Sequence, residues 1–275
     1  MKHNVKDRRG FLREIYIKYG IWIILLFMIV LMSCLTDTFF TTRNLLNLVR
    51  QVSFIAIIGF GSAYILICGG LDLSPGSVVA VTSVVSCSFA TGNYPTSVAI
   101  LIGLLIGVVV GTVNGLLVTA LRVPPFIATL GTMTSCNGIA MLYSDGNSIK
   151  GLTDSYKYWG AGKIMGIPIS IIIMLVLAVI MFVVLVYTPF GRHIVAVGDN
   201  IQAAKISGIK TERIILLVYI IGGVLASIAS ILMSGRIASG QPLLGDGYEM
   251  DAISAAVVGG VSLKGGVGSM GGVIC

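Results

Sequence analysis

Apolar residues in this chain come in long, nearly unbroken runs, and polar residues gather in the gaps between them. The runs fall near residues 20–36, 52–70, 76–92, 97–121, 126–143, 168–188, 214–235 and 252–275. Most approach the roughly 20 residues that a helix needs to cross about 30 Å of hydrocarbon. The pattern predicts an all-α integral membrane protein, a polytopic helical bundle of about eight membrane segments. No small-residue cleavage site follows Cys34-Leu35-Thr36-Asp37, and the first run is too long for the apolar core of a signal peptide, so it is read as a retained span. Residues 1–19 then form a basic N-terminal segment and 20–275 the membrane domain.

The gaps carry structure of their own. Residues 40–51 place Leu45, Leu48 and Val49 on one helical face and Arg43, Asn47 and Arg50 opposite, behind capping threonines at 41 and 42. That predicts a short interfacial helix. Gly103, Gly107, Gly111 and Gly115 recur every four residues, so one face of the fourth run is a smooth groove for another helix backbone, with lumen lining as the second reading. Gly70, Asp72 and Ser74 make a turn in which Asp72 is read as a cap for the following helix, a gating role being the alternative.

Composition agrees with the pattern. With 56% hydrophobic and 11% charged residues and a mean hydropathy of +1.00, the chain carries more apolar surface than one soluble core could bury. The net charge of +7 resides in the gaps and forms no aromatic-interleaved patch, which points to a membrane surface and away from nucleic acid. With the N-terminus inside, the inner gaps hold twelve of the 18 Lys and Arg residues and the outer gaps six. This parity predicts a cytoplasmic N-terminus, a cytoplasmic loop at 189–213, and outward segments at 144–167 and 236–251. Cys34, Cys68, Cys87 and Cys136 lie inside apolar runs and Cys275 at an end, with neither a disulfide framework nor a zinc spacing. His3 and His193 have no company for a metal site.

Two absences narrow the function. No ionisable residue sits in the middle of a well-defined run, which disfavours a carrier driven by protons or sodium. The glycine-lysine cluster SLKGGVGS at 262–269 has its lysine before its glycines and no preceding strand, so it is no phosphate loop. Active transport by this chain would need a separate motor, and the basic loop at 189–213 is where a cytoplasmic partner would push.

The blocks GGLDLSPGS (69–77), NGLLVTALRVPPFIATLGTM (114–133), GRHIVAVGDNIQAAKISGI (191–209), SGQPLLGDGYEMDAISAAVVGG (239–260) and SLKGGVGS (262–269) run in one order over most of the chain. In them the chain resembles the membrane permease of ribose-type, monosaccharide ABC importers. The resemblance implies a permease subunit in the bacterial cytoplasmic (inner) membrane that works with a cytoplasmic ABC ATPase, an extracytoplasmic sugar-binding protein and a second permease copy, identical or different. It implies no cofactor in this chain, ATP and Mg being bound by the ATPase, and no enzymatic chemistry of its own. The family continues past SLKGGVGS with further apolar helices, whereas this sequence stops at Cys275 and is read as truncated there. Pro75 stands where relatives carry a small aliphatic residue, and it fits a turn leading into a helix.

The same resemblance supplies residue roles. A short cytoplasmic helix of such permeases seats in the ATPase, and its pattern of two small residues followed by glycine is matched by Ala203, Ala204 and Gly208. Asn200 would cap that helix, Gly208 end it, and Lys205 and Lys210 face acidic residues of the partner. A path for a neutral, polyhydroxylated sugar would use hydroxyls and amides, for which Asn114, Thr129, Thr132 and Asn137 are candidates, with interhelical bonding as the competing use. Gln241, Asp246, Tyr248, Glu249 and Asp251 would form a docking edge for the binding protein at the outer mouth. Tyr156, Tyr158 and Trp159 would sit in an aromatic belt or touch that protein. The rival readings are a truncated, inactive or assembly-modulating relative of such a permease, and a gradient-driven carrier.

Overall fold

The computed structural model describes residues 23–268 and 271–272. The basic segment 1–19 and the last residues of the final run lie outside them. The chain divides into two compact units, Met1–Leu48 and Val49–Cys275.

The first unit holds helix α1 (Ile23–Leu35) and the opening turns of α2 (Thr42–Ile67). Thr41 starts α2: its hydroxyl oxygen accepts from the Asn44 N–H at 3.4 Å while the hydroxyl donates to the Thr38 carbonyl at 2.7 Å. The expected interfacial helix and second span are one continuous helix of 26 residues, about 39 Å long. Nothing between Thr42 and Ile67 breaks it, since its only special residues are glycines, which a buried helix tolerates.

The second unit is built on α3 (Pro75–Phe89), α4 (Thr96–Thr119), α5 (Pro125–Ser144), α6 (Asp154–Ala161), α7 (Ile169–Tyr187), α8 (Pro189–Asp199), α9 (Ile201–Ile206), α10 (Thr211–Ile237) and α11 (Tyr248–Val258). Strands β1 (Lys163–Ile164) and β2 (Ile167–Pro168) make a two-residue antiparallel hairpin, which with an isolated bridge between Ile149 and Gly240 is the departure from an all-α chain among the described residues. The helices α2, α4, α7 and α10 are long and apolar enough to cross a membrane. The final run does not form one long span over its described part: α11 has 11 residues and stops at Gly259, after which Gly260 takes a left-handed φ of +89°.

Helix α10 is the centre of the second unit. The glycine stripe of α4 faces it: a side chain on Gly107 would overlap the Gly223 carbonyl, and one on Gly111 would come within 2.7 Å of the Ile220 Cα. The groove is therefore a helix-packing face. On its other side, Gly222 lies against Gly61 of α2 at 2.8 Å from that glycine's ideal Cβ. A third face carries hydroxyls to α3. Ser227 shares a hydrogen bond with Thr82 at 3.0 Å, Ser230 donates to the Val79 carbonyl at 2.7 Å, and Ser234 pairs with Ser83 at 2.8 Å. Each such bond between membrane helices contributes about 0.6 kcal/mol, up to about 1.7.

Two opposite ends follow from this packing. At one, residues 90–96, 149–156 and 240 gather: Thr153 N–H bonds the Ala90 carbonyl at 2.9 Å, and Ile149 pairs with Gly240 through two backbone bonds of 2.8 and 2.9 Å. Tyr156 of α6 is fully buried there, its hydroxyl 2.9 Å from Ser86 Oγ. It is core, and neither belt nor docking surface, while Tyr158 and Trp159 are exposed. At the other end lie the α2–α3 turn, the α4–α5 turn and the α8–α9 pair. Loops of equal parity thus share an end.

Candidate functional site

The α8–α9 pair occupies most of the expected 189–213 loop. Thr188 opens α8, its oxygen accepting from the Gly191 N–H at 3.3 Å, with Pro189 in the first turn. Asn200 then opens α9: its Oδ1 accepts from the N–H groups of Gln202 and Ala203, both at 3.0 Å. Gly208, at φ +82°, closes it, with Gly208 N–H on the Lys205 carbonyl at 2.9 Å and Ile209 N–H on the Ala204 carbonyl at 3.0 Å. That pair of bonds is a Schellman ending.

Of the small pair, Ala204 is buried and Ala203 exposed. Ile206 is 89% exposed, an apolar side chain standing free at the tip of a helix with no fold-internal reason to be there. Lys205 departs from expectation. It is bound within the chain to Glu212 at 2.7 Å, because the Schellman turn brings the start of α10 back beside α9. Lys210 remains exposed.

Next to α9 is a cavity of about 460 Å³, lined by Cys68, Gly69, Gly198, Asn200, Tyr219 and Lys264 among others. Its upper wall is the α2–α3 turn. Gly69, at φ +82°, and Gly70 end α2 in another Schellman motif, with N–H bonds to the Leu66 and Ile65 carbonyls at 2.9 Å. Asp72, 5% exposed, does not cap α3 itself; its Oδ1 accepts from the Ser74 N–H at 2.8 Å and the Ser74 hydroxyl at 2.7 Å. Burial pushes the Asp72 carboxyl up to about 6, against the pull of those two bonds. Pro75 occupies the first turn of α3, as the turn reading requires.

This turn claims two of the four residues expected to line a sugar path. Asn114 is 1% exposed and donates its amide to Ser74 Oγ at 2.8 Å, with its Oδ1 left without a partner. Thr129 is fully buried, donating to the Pro125 carbonyl at 2.9 Å and lying 3.5 Å from the Leu71 carbonyl. Both are sealed between helices, so they serve packing. Tyr219, which the sequence did not single out, donates to the same Leu71 carbonyl at 3.1 Å. Thr132 and Asn137 differ: both are half-buried, at opposite edges of the open side of α5 that holds exposed Thr134 and Ser135 and the uncovered Gly131 and Gly138. Thr132, Thr134 and Ser135 donate back to their own helix, which leaves their oxygens able to accept from a ligand.

The expected docking edge is not one surface. Gly240 packs on Ser83 and Cys87, and Gln241 N–H bonds Ser83 Oγ at 3.0 Å. Gly245 then lies against Val79, and the carboxylate of buried Glu249 rests on Gly76, the first turn of α3. Residues 240–249 therefore run down α3 from one end to the other, and only Gln241 stays where the binding protein was expected. Asp246 and Asp251 are exposed and Tyr248 half-buried, all beyond Gly245 on this leg. The absence of a side chain on Gly76 leaves the space in which the Glu249 carboxyl lies. Among the described residues no three His, Cys, Asp or Glu side chains gather as a metal site would require.

Comparison with known proteins decides the family. The pattern of the family described as "Branched-chain amino acid transport system / permease component" matches residues 44–275. This chain belongs to that permease family. The match spans α2 to α11, so the α8–α9 pair, the α2–α3 turn and the open face of α5 are all permease elements. The chain is 42% identical over 259 residues to the ribose import permease protein RbsC of Bacillus subtilis (strain 168), covering 94% of this chain and 80% of that protein. It is 37% identical over 274 residues to RbsC of Escherichia coli (strain K12), covering 98% and 85%. To the D-allose transport system permease protein AlsC of the same strain it is 35% identical over 253 residues, covering 91% and 78%. No solved structure matches the permease significantly.

Proposed function

We propose that this permease is the translocating subunit of an ATP-driven importer that carries a ribose-like monosaccharide across the bacterial cytoplasmic membrane. Its similarity along nearly its whole length to a ribose import permease carries the reading. The family description speaks of branched-chain amino acids, but the similar relatives named above carry sugars. A neutral hydroxylated cargo also suits the hydroxyl- and amide-bearing face of α5, which offers no charge to an amino-acid zwitterion.

In this reading the chain contributes about eight membrane segments with a cytoplasmic N-terminus, on the Lys/Arg distribution. The end holding the α2–α3 turn and α8–α9 faces the cytoplasm, and the end holding α6 and Gln241 faces outward. Helix α9, capped by Asn200 and closed at Gly208, docks into a cytoplasmic ABC ATPase that binds ATP and Mg, with Ala203 and Ile206 as the contact. Thr132 and Asn137 face a path shared with a second permease copy, and an external sugar-binding protein delivers cargo near Tyr158, Trp159 and Gln241. The permease has no covalent chemistry of its own.

The test is uptake of labelled ribose into proteoliposomes holding the permease, its ATPase and the binding protein. Uptake should require internal ATP and survive an ionophore. Uptake that persists without ATP and collapses with the ionophore identifies a gradient-driven carrier, and uptake of leucine but not ribose overturns the cargo assignment.

A further inference from the structure

Gly198 is the penultimate residue of α8 and has an ordinary helical backbone, so its conformation does not call for glycine. What it permits is contact. A Cβ on Gly198 would overlap the Ile67 carbonyl at the end of α2 and come within 2.7 Å of the Gly266 nitrogen. That same Ile67 carbonyl, one of the groups a helix end leaves unbonded, accepts the Gly266 N–H at 2.9 Å. Cβ atoms on Gly265 would lie 2.6 Å from the Gly198 carbonyl and 2.9 Å from the Gly69 Cα, and one on Gly266 would lie 2.9 Å from the Asp199 Cα. Three separate stretches, the end of α2, the end of α8 and the 262–268 loop, thus meet backbone to backbone with no side chain between them.

The position of this junction gives it a use. Two residues after Gly198 is Asn200, the cap of α9. Four residues after Ile67 is Leu71, whose carbonyl receives Tyr219 of α10 and lies beside Thr129 of α5. A displacement of α9 therefore meets the α2–α3 turn through main chain alone, and close-packed contacts without rotatable side chains transmit strain instead of absorbing it.

We propose that Gly198 is a positioning residue which, through its backbone junction with Ile67, Gly69 and Gly266, conveys the movement of α9 rigidly to the α2–α3 turn. The proposal rests on the reading of α9 as the ATPase-docking helix. The SLKGGVG loop gains a role with it, as the clamp that holds the junction shut.

The test uses the complete complex in proteoliposomes. Ala203→Cys, crosslinked to the ATPase, reports docking; ATP turnover with and without sugar-loaded binding protein reports coupling; ribose uptake reports transport. Gly198→Ala and, from the opposite side, Gly266→Ala should keep the crosslink and basal ATP turnover while lowering both stimulated turnover and uptake about tenfold. Uptake within about twofold of the parent overturns the proposal, and so does loss of the crosslink together with turnover, which would make the junction a mere support for α9. If the parent complex never crosslinks, the docking reading itself fails and this proposal with it. A second measurement does not depend on how the alanine variants fold. In the parent complex the Gly266 N–H, which donates to the Ile67 carbonyl, should be equally protected from hydrogen exchange with and without ATP, and protection lost on ATP binding identifies a moving hinge and overturns the proposal.

Discussion

Asn114 of α4 donates its side-chain amide to Ser74 Oγ at 2.8 Å, and Ser74 in turn donates to Asp72. A residue that reads in sequence as a possible sugar contact is thereby a buried tie between α4 and the α2–α3 turn. Asn114→Ala removes the tie and should lower stability by about 1–3 kcal/mol, since it leaves Ser74 with one partner fewer in a buried site. Thermal unfolding of the detergent-solubilised permease measures this. The order in which competing sugars inhibit uptake should stay as in the parent.

Asp72 predicts a pH dependence. Its folded carboxyl titrates near 6, above the ordinary value of 3.8, so the folded state holds this proton more tightly than the unfolded chain. The stability it contributes is complete below about pH 4 and is lost as pH rises through 6. Asp72→Asn keeps an oxygen for the two Ser74 donors and carries no charge to bury. The variant should therefore be more stable than the parent above pH 6, by on the order of 1–3 kcal/mol, with the difference vanishing near pH 4. Unfolding midpoints measured from pH 4 to 8 would reveal a gap that stays flat if the carboxyl is indifferent to burial.

Gly107 faces the Gly223 carbonyl across the α4–α10 contact. Gly107→Leu forces the two central helices apart and should destabilise by about 3 kcal/mol or more, beyond the usual cost of overpacking a core. Gly131→Leu on the open face of α5, where a Cβ meets nothing, should leave the folded subunit intact. Comparing the stability of the two variants separates a packing glycine from one on an open face.

On α9, Asn200→Ala deletes a cap serving two N–H groups and should weaken the helix by about 1 kcal/mol, while Asn200→Asp or Asn200→Ser should retain it. Ile206→Asp leaves the fold untouched, because that side chain is 89% exposed, yet should abolish retention of the ATPase on the solubilised permease. Co-purification of the two proteins reads both effects.

Local chemistry was legible before any packing was known. The apolar runs announced an all-α membrane protein, though among the described residues only four of the eight became helices long and apolar enough to cross; Asn200 and Gly208 marked the two ends of α9, the glycine repeat every four residues marked a packing face on α4, and Pro75 marked the first turn of α3. Each is a short-range signal: a cap needs a side chain two or three residues from its donor, and a helix stop needs one residue able to take a positive φ. Where the chain was misread, the deciding atom came from far away. Glu249 reads as an exposed acid, but the bare Gly76, 173 positions earlier, leaves it room against the start of α3. Lys205 reads as an unpaired cation, and a turn delivers Glu212 to it.

Sequence alone thus determined the kind of protein, the apolar helices, of which four among the described residues are long and apolar enough to cross a membrane, and the family blocks that mark it as a permease, because hydrophobic run length and residue type act within one helix. Tertiary structure alone decided which polar groups are spent inside the fold and which stay free. Asn114, Thr129 and Tyr156 went to the first set and Asn137 to the second, the apolar Ile206 stayed exposed, and Gly198 became a junction. A buried polar group takes whatever partner the packing brings within about 3 Å, and no spacing along the chain records that distance.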